Sequence, residues 1–175
     1  MRKLILYIAM SLDGYIAQPD DNIDFLSVVE KPGEDYGYKK FIDGIDTVLM
    51  GRRTYDKVLT LAPEYSHSDK KSYIITRTTR KAEKNITFYN GNLTELVSKL
   101  KEQPGLNIFV DGGAELVCSL LDQKLIDEMI ISVIPVLLGD GIRLFMAGFP
   151  TQNLELKSSQ SFGETGLVQL HYAVI

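Results

Sequence analysis

The sequence predicts an α/β protein: a three-layer sandwich with a mostly parallel central sheet, helices on both faces and antiparallel strands at its C-terminal end. Three observations carry this. A nearly unbroken apolar run, Lys3–Met10, opens the chain, as expected of a strand buried on both faces. Short apolar runs then alternate with stretches of helical periodicity, the pattern of parallel strands joined by crossover helices. The last part of the chain turns β-rich, with two segments flanking GETG, whose glycines suit a hairpin.

Each element follows from its residues. After the first strand, Ser11–Leu12–Asp13–Gly14 supplies a turn in which Gly14 is free to take positive φ. Asp35–Gly44 reads as a helix, because Tyr38, Phe41, Ile42 and Ile45 recur three or four residues apart. Thr47–Met50 is a strand, and Thr54–Leu61 a helix ended by Pro63. Ser72–Thr76 and Ile86–Tyr89 are short strands separated by the polar RTTRKAEKN. Leu93–Gln103 is an amphipathic helix with Leu93, Leu96, Val97 and Leu100 on one face, closed by Pro104–Gly105. Leu106–Val110 is a strand that turns at Asp111–Gly112–Gly113 into a helix whose Leu116, Val117, Leu120 and Leu121 share a face. Leu125–Leu138 is β-rich, with Pro135 marking a break or an edge, and Leu154–Phe162 and Leu167–Ile175 form the hairpin.

Composition narrows the function. At 175 residues and 19.6 kDa, with neither internal repeats nor linkers, residues 1–175 are expected to form one domain with a real core. A formal net charge of −4 and the lack of any basic run argue against nucleic-acid binding. Two histidines and one cysteine leave no zinc-ligand spacing, so no metal is expected. Cys118, among apolar neighbours, is expected to be a small buried hydrophobe. MRKLILYIAM is too short for a signal-peptide core, and no run approaches the ~20 apolar residues of a membrane span, so no membrane partner and a cytoplasmic location are expected. The P-loop, Rossmann and G-x-S-x-G fingerprints are absent.

The chemistry collects at three junctions, Met50–Gly51–Arg52–Arg53–Thr54, Ile75–Thr76–Arg77–Thr78 and Val110–Asp111–Gly112–Gly113–Ala114, each at the carboxyl end of an expected strand. Open α/β sheets bind ligands beyond those strand ends. Glycine lets backbone N–H groups approach an anion, a following helix points its positive end there, and arginine adds a planar fork for phosphate oxygens. Singly, each junction reads as an ordinary turn or an exposed loop. Together they favour a ligand with a pyrophosphate and a further monophosphate, the charge pattern of an adenine dinucleotide phosphate.

The order SLDGYIA, GRRTY, TR, DGGAEL and IPVLLGDGIRLF resembles the dihydrofolate reductase-like superfamily. Within it, the chain looks most like the reductase domain of the bifunctional deaminase/reductases of riboflavin biosynthesis, over nearly its whole length. The resemblance implies NADPH as hydride donor and a small heterocyclic substrate of the 5-amino-6-(5-phosphoribosylamino)uracil type. It assigns Gly51, Arg52, Arg53 and Thr54 to the pyrophosphate and the 2′-phosphate side, with Thr76 and Arg77 completing the 2′-phosphate pocket. It assigns Gly112, Gly113, Ala114, Glu115 and Leu116 to the other side of the pyrophosphate, and Ala9 with Ser11–Ile16 to the nicotinamide. A homodimer is also implied, with Ile130–Leu138 either its interface or an interior strand.

Candidates for handling substrate are few. Asp35 is the candidate catalytic carboxylate, with a helix-start role as the competing reading. Asp13 reads as turn chemistry, Asp111 as an orienter of the glycine turn or a substrate contact, and Lys39 and Lys40 as a second anion site. The zinc deaminase motifs of the bifunctional enzymes are absent, and so is tryptophan. A dihydrofolate reductase-type activity and an NADPH-binding protein without turnover are the alternatives.

Overall fold

In a computed structural model, the structure describes residues 1–62, 64–78 and 80–175. Among the described residues there are ten strands: β1 (Leu4–Ser11), β2 (Tyr15–Ala17), β3 (Ile45–Gly51), β4 (Lys71–Ile75), β5 (Ile86–Tyr89), β6 (Asn107–Gly112), β7 (Glu128–Ile134), β8 (Ile142–Arg143), β9 (Leu154–Phe162) and β10 (Leu167–Val174). Four α-helices join them: α1 (Tyr38–Asp43), α2 (Arg52–Leu61), α3 (Leu93–Glu102) and α4 (Ala114–Asp122). A 3-10 turn covers Asp24–Val29. Pro63, expected to end α2, lies outside the described residues, as does Thr79 of the polar connection.

Eight strands form one sheet in the order β5-β4-β3-β6-β1-β7-β10-β9, while β2 and β8 pair separately. All pairings from β5 to β7 are parallel, and β10 is antiparallel to both β7 and β9. This is the dihydrofolate reductase-like fold expected from the sequence.

Alternation along the strands explains the layers. Leu4 and Leu6 of β1, Leu49 of β3, and Ile108 and Val110 of β6 point to one face and pack on α3 and α4 through Leu96, Val97, Leu100, Leu116, Val117 and Leu120. The neighbouring residues Val48 and Phe109 point the other way, against Phe41 and Ile42 of α1, and Met50 and Ile74 meet Tyr55 of α2. Burying such side chains contributes about 1.5–3 kcal/mol each. A buried arginine ties the amino ends of the strands together. Arg2 pairs with Asp46, donates to the Leu106 carbonyl and reaches the Thr47 hydroxyl at 2.7 Å and the Leu100 carbonyl at 3.3 Å.

Two expectations change in detail, and one open alternative is resolved. The helix read over Asp35–Gly44 begins at Tyr38, because Asp35–Gly37 form the turn that enters it. Ile130–Ile134 lie inside the sheet, since β7 is flanked by β1 and β10; the exposed edge is β9, where eight of nine residues are exposed. Cys118 is only half-buried, its thiol 3.8 Å from the Leu144 carbonyl. Among the described residues, no helix is long and apolar enough to cross a membrane, and no cluster of histidine, cysteine and carboxylates could hold a metal.

Candidate functional site

The parallel register brings the three junctions to one end of the sheet. Gly51 aligns with Ile75, the residue before Thr76, and Met50 aligns with Gly112. The contact is backbone to backbone: a β-carbon on Gly51 would lie 3.3 Å from the Gly113 nitrogen, and one on Gly113 would lie 2.7 Å from the Thr54 hydroxyl. A side chain at either position would force its neighbour to shift. Gly51 and Gly113 are also the N-caps of α2 and α4, and neither helix start has a side-chain cap. Two sets of first-turn N–H groups therefore open beside each other, an arrangement suited to anions.

The cations around this edge are unequal. Arg52 bonds Asp56 at 2.8 Å, one turn along α2, and Arg80 reaches the other Asp56 oxygen at 2.9 Å while lying over the Phe88 ring. Partial burial opposes ionisation of Asp56, but Arg80 and then Arg52 hold its carboxyl below the usual range. Arg53 reaches Asp21 at 3.3 Å. Arg77 has a side chain 95% exposed and, among the described residues, only a long 3.6 Å pairing with Glu115, itself on the first turn of α4. That pair links the second junction to the third. Thr76 is buried, and its hydroxyl accepts from the Thr78 N–H at 3.1 Å, shaping the turn that projects Arg77. Ala114 and Leu116 are buried in the α4 packing, so their side chains serve the core and only their backbone faces the glycine turn.

Beyond the end of β1, the Ser11–Gly14 turn is tied to the chain after β7. The Asp13 carboxylate accepts from the Leu138 N–H at 3.1 Å and the Gly139 N–H at 2.7 Å, and from the Ser11 hydroxyl at 2.5 Å. The Ser11 hydroxyl foremost, with those backbone groups, holds the Asp13 carboxyl down at about 2. Two motifs far apart in sequence, SLDG and PVLLGDG, thus form one loop pair, and Gly14 has φ +89° as its turn requires. Ala9 packs with Phe25, Val29 and Ile134, whereas Ile16 packs on the core beneath α3 and α4.

Asp35 is exposed and gives one oxygen to the Gly37 N–H at 2.9 Å and the other to the Lys39 N–H at 3.0 Å. Those backbone donors, Lys39 first, hold its carboxyl below the usual range. Its observed work is the start of α1. Lys39 and Lys40 are exposed on the same helix. The carboxylate nearer the glycine turn is Asp111, at the end of β6, which accepts from the ring of the buried His67 at 3.0 Å. Burial, and secondarily the Asp111 charge, raise the Tyr38 phenol. His67 and Arg80 were not singled out from sequence for this site, because both lie in polar, aperiodic connections. A groove of about 450 Å³ between the 3-10 turn and the entry to α1 is lined by Leu26, Val29, Lys31 and Tyr36 and by no residue of the three junctions.

Comparison with known proteins agrees with the architecture. The family model for the RibD C-terminal domain matches residues 2–168. The YwjB protein of Bacillus subtilis (strain 168) is 44% identical over 172 residues, covering 98% of this chain and 97% of that one. A solved structure from Shewanella sp. PV-4, named for riboflavin biosynthesis, has a TM-score of 0.90 at 29% identity, with 99% of each chain covered. The Thermotoga maritima diaminohydroxyphosphoribosylaminopyrimidine deaminase/5-amino-6-(5-phosphoribosylamino)uracil reductase shares the fold at a TM-score of 0.73 and 13% identity, over 99% of this chain and 57% of that one. The chain belongs to the RibD C-terminal domain family.

Proposed function

We propose that the protein is an NADPH-dependent reductase that delivers a hydride to a small heterocyclic substrate of the 5-amino-6-(5-phosphoribosylamino)uracil type. One observation carries this reading: two uncapped helix starts, at Gly51 and Gly113, meet at the carboxyl end of the central strands with the exposed Arg77 beside them. When bound, the nicotinamide supplies the hydride; the chain binds, orients and manages charge. In this reading, N–H groups of Gly51–Thr54 and Gly113–Leu116 hold the pyrophosphate. Arg77 takes the 2′-phosphate, on the turn shaped by Thr76, and Arg53 contributes to the same side. Arg52, whose charge is shared with Asp56, contributes less. Ala9 and Ile16 flank the strand end assigned to the nicotinamide, and the Asp13 clamp fixes the loops above it.

The substrate lies, in this proposal, between the end of β6 and α1, facing Asp111 and Tyr38, with Lys39 and Lys40 available to a phosphate. Asp35 acts at the α1 start, and any contact with substrate is made through lone pairs not used by Gly37 and Lys39. The family relationship supports a riboflavin-type reductase over a folate enzyme. A cytoplasmic location and a homodimer complete the proposal, with the exposed β9 edge as the surface open to a second copy.

The test is NADPH oxidation by the purified chain, followed by absorbance, across phosphoribosylated aminopyrimidines and dihydrofolate. The proposal expects turnover with the former. Turnover confined to dihydrofolate and blocked by antifolates would replace it with the folate reading, and NADPH binding without oxidation would leave a binding protein.

A further inference from the structure

His67 is a buried titratable side chain with no part in cofactor binding as proposed above. Its side chain is 5% exposed, and its ring stands edge-on to Tyr65 (5.5 Å) and Phe109 (5.6 Å). These contacts leave its plane little freedom. Its Nε2 lies 3.0 Å from Asp111 Oδ2. An ionised carboxylate only accepts, so the ring donates. Asp111 lies on the same sheet face as Phe109, which packs edge-on against Phe41 of α1 at 5.1 Å. Its side chain is 25% exposed, and among the described residues its other oxygen has no hydrogen-bond partner. One oxygen is therefore held from behind while the other stays available at the strand end, one residue before Gly112.

We propose that His67 is a positioning residue that acts through Asp111: the fixed imidazole orients the carboxylate so that its second oxygen accepts an N–H of the bound heterocycle. This rests on the reductase reading above. A lone aspartate at a strand end would rotate about its side-chain torsions; the ring bond removes that freedom before substrate arrives. Asp69, on the ring's own segment, is paired with Lys70 at 3.1 Å, and burial raises the Tyr65 and Tyr38 phenols, so none of these groups brings a competing unpaired charge to the couple.

Two measurements on the full chain test this. The first needs no turnover. Ring nitrogen NMR is recorded for the wild type and Asp111→Asn at one pH, with His171→Gln assigning the second of the two histidines. Loss of the carboxylate acceptor should move the His67 Nε2 resonance. An unchanged resonance overturns the couple. The second measurement is kinetic, at saturating NADPH. His67→Phe keeps the ring packing but removes the donor, and should lose ~10–100-fold in kcat/KM for the heterocycle with the NADPH Kd unchanged. His67→Gln restores a donor and should recover most of that loss. The double variant His67→Phe/Asp111→Asn should be no slower than Asp111→Asn alone. Losses that multiply in the double variant, or that appear equally in the NADPH Kd, overturn the positioning role. A wild type that binds NADPH but reduces no heterocycle overturns the reductase reading, while the ring NMR still decides whether the couple exists.

Discussion

Replacing Arg77 by Ala removes a cation that the fold does not need. Its side chain is 95% exposed, and among the described residues its one ion pair, with Glu115, is 3.6 Å long between two exposed groups. Exposed pairs of this kind add little to stability, so the variant should unfold at the wild-type temperature. Binding should respond differently. A charge-assisted hydrogen bond from a guanidinium to a 2′-phosphate corresponds to a ~10–150-fold change in Kd once removed. NADH has no such phosphate, so its Kd should stay within about twofold. Arg52 supplies the internal comparison. The Asp56 carboxylate already pairs with its guanidinium, so Arg52→Ala should weaken NADPH by a smaller factor than Arg77→Ala. Isothermal titration of both coenzymes into both variants gives the four numbers needed. Equal losses of NADPH and NADH in Arg77→Ala would refute the assignment of Arg77 to the 2′-phosphate.

Other predictions address the scaffold. Gly113→Ala places a β-carbon 2.7 Å from the Thr54 hydroxyl, so it should weaken NADPH at least about tenfold, and Thr54→Ala in the same chain should relieve part of that loss; calorimetry reads both. Asp13→Asn should lower the melting temperature at pH 7. Because the folded carboxyl sits at about 2, below its ordinary 3.8, its contribution is full above pH ~4 and fades as pH falls through ~2. The gap between wild-type and Asp13→Asn melting curves should close over that window, and a gap independent of pH would contradict the clamp. Arg2→Ala strips a buried guanidinium from Asp46, Thr47 and two carbonyls and should cost about 2–4 kcal/mol in urea denaturation, with NADPH affinity retained.

The fold was legible where local pattern and burial coincide. Lys3–Met10 reads as a two-sided strand because β1 is central in the sheet, and Leu96, Val97 and Leu100 betray α3 because only one of its faces is covered. The short β2 and β8 were not anticipated, since three- and two-residue strands leave no period to read. The 3-10 turn at Asp24–Val29 escaped for the same reason. At the site, glycines and arginines next to strand ends announced themselves, and parallel pairing brings them together. What sequence could not show was how the charges are partnered. Arg52, Arg53 and Arg77 look alike in a string, yet a 2.8 Å pairing with Asp56, a 3.3 Å one with Asp21 and a long 3.6 Å one with Glu115, respectively, distinguish them. His67 lies 44 residues from Asp111, in a segment without periodicity, so only tertiary contact reveals the couple. Asp35 and Asp13 look equally available in sequence. Backbone donors occupy both, one at a helix start and the other across two loops.

The convergence of the Gly51 and Gly113 helix starts, with Arg77, on a coenzyme that carries a pyrophosphate and a 2′-phosphate is the claim on which the other assignments stand. Isothermal titration of the wild-type chain with NADPH and with NADH tests it most directly. One NADPH site per chain, at least about tenfold tighter than NADH, is the predicted result. Absence of heat with either coenzyme, or equal affinity for the two, would contradict it.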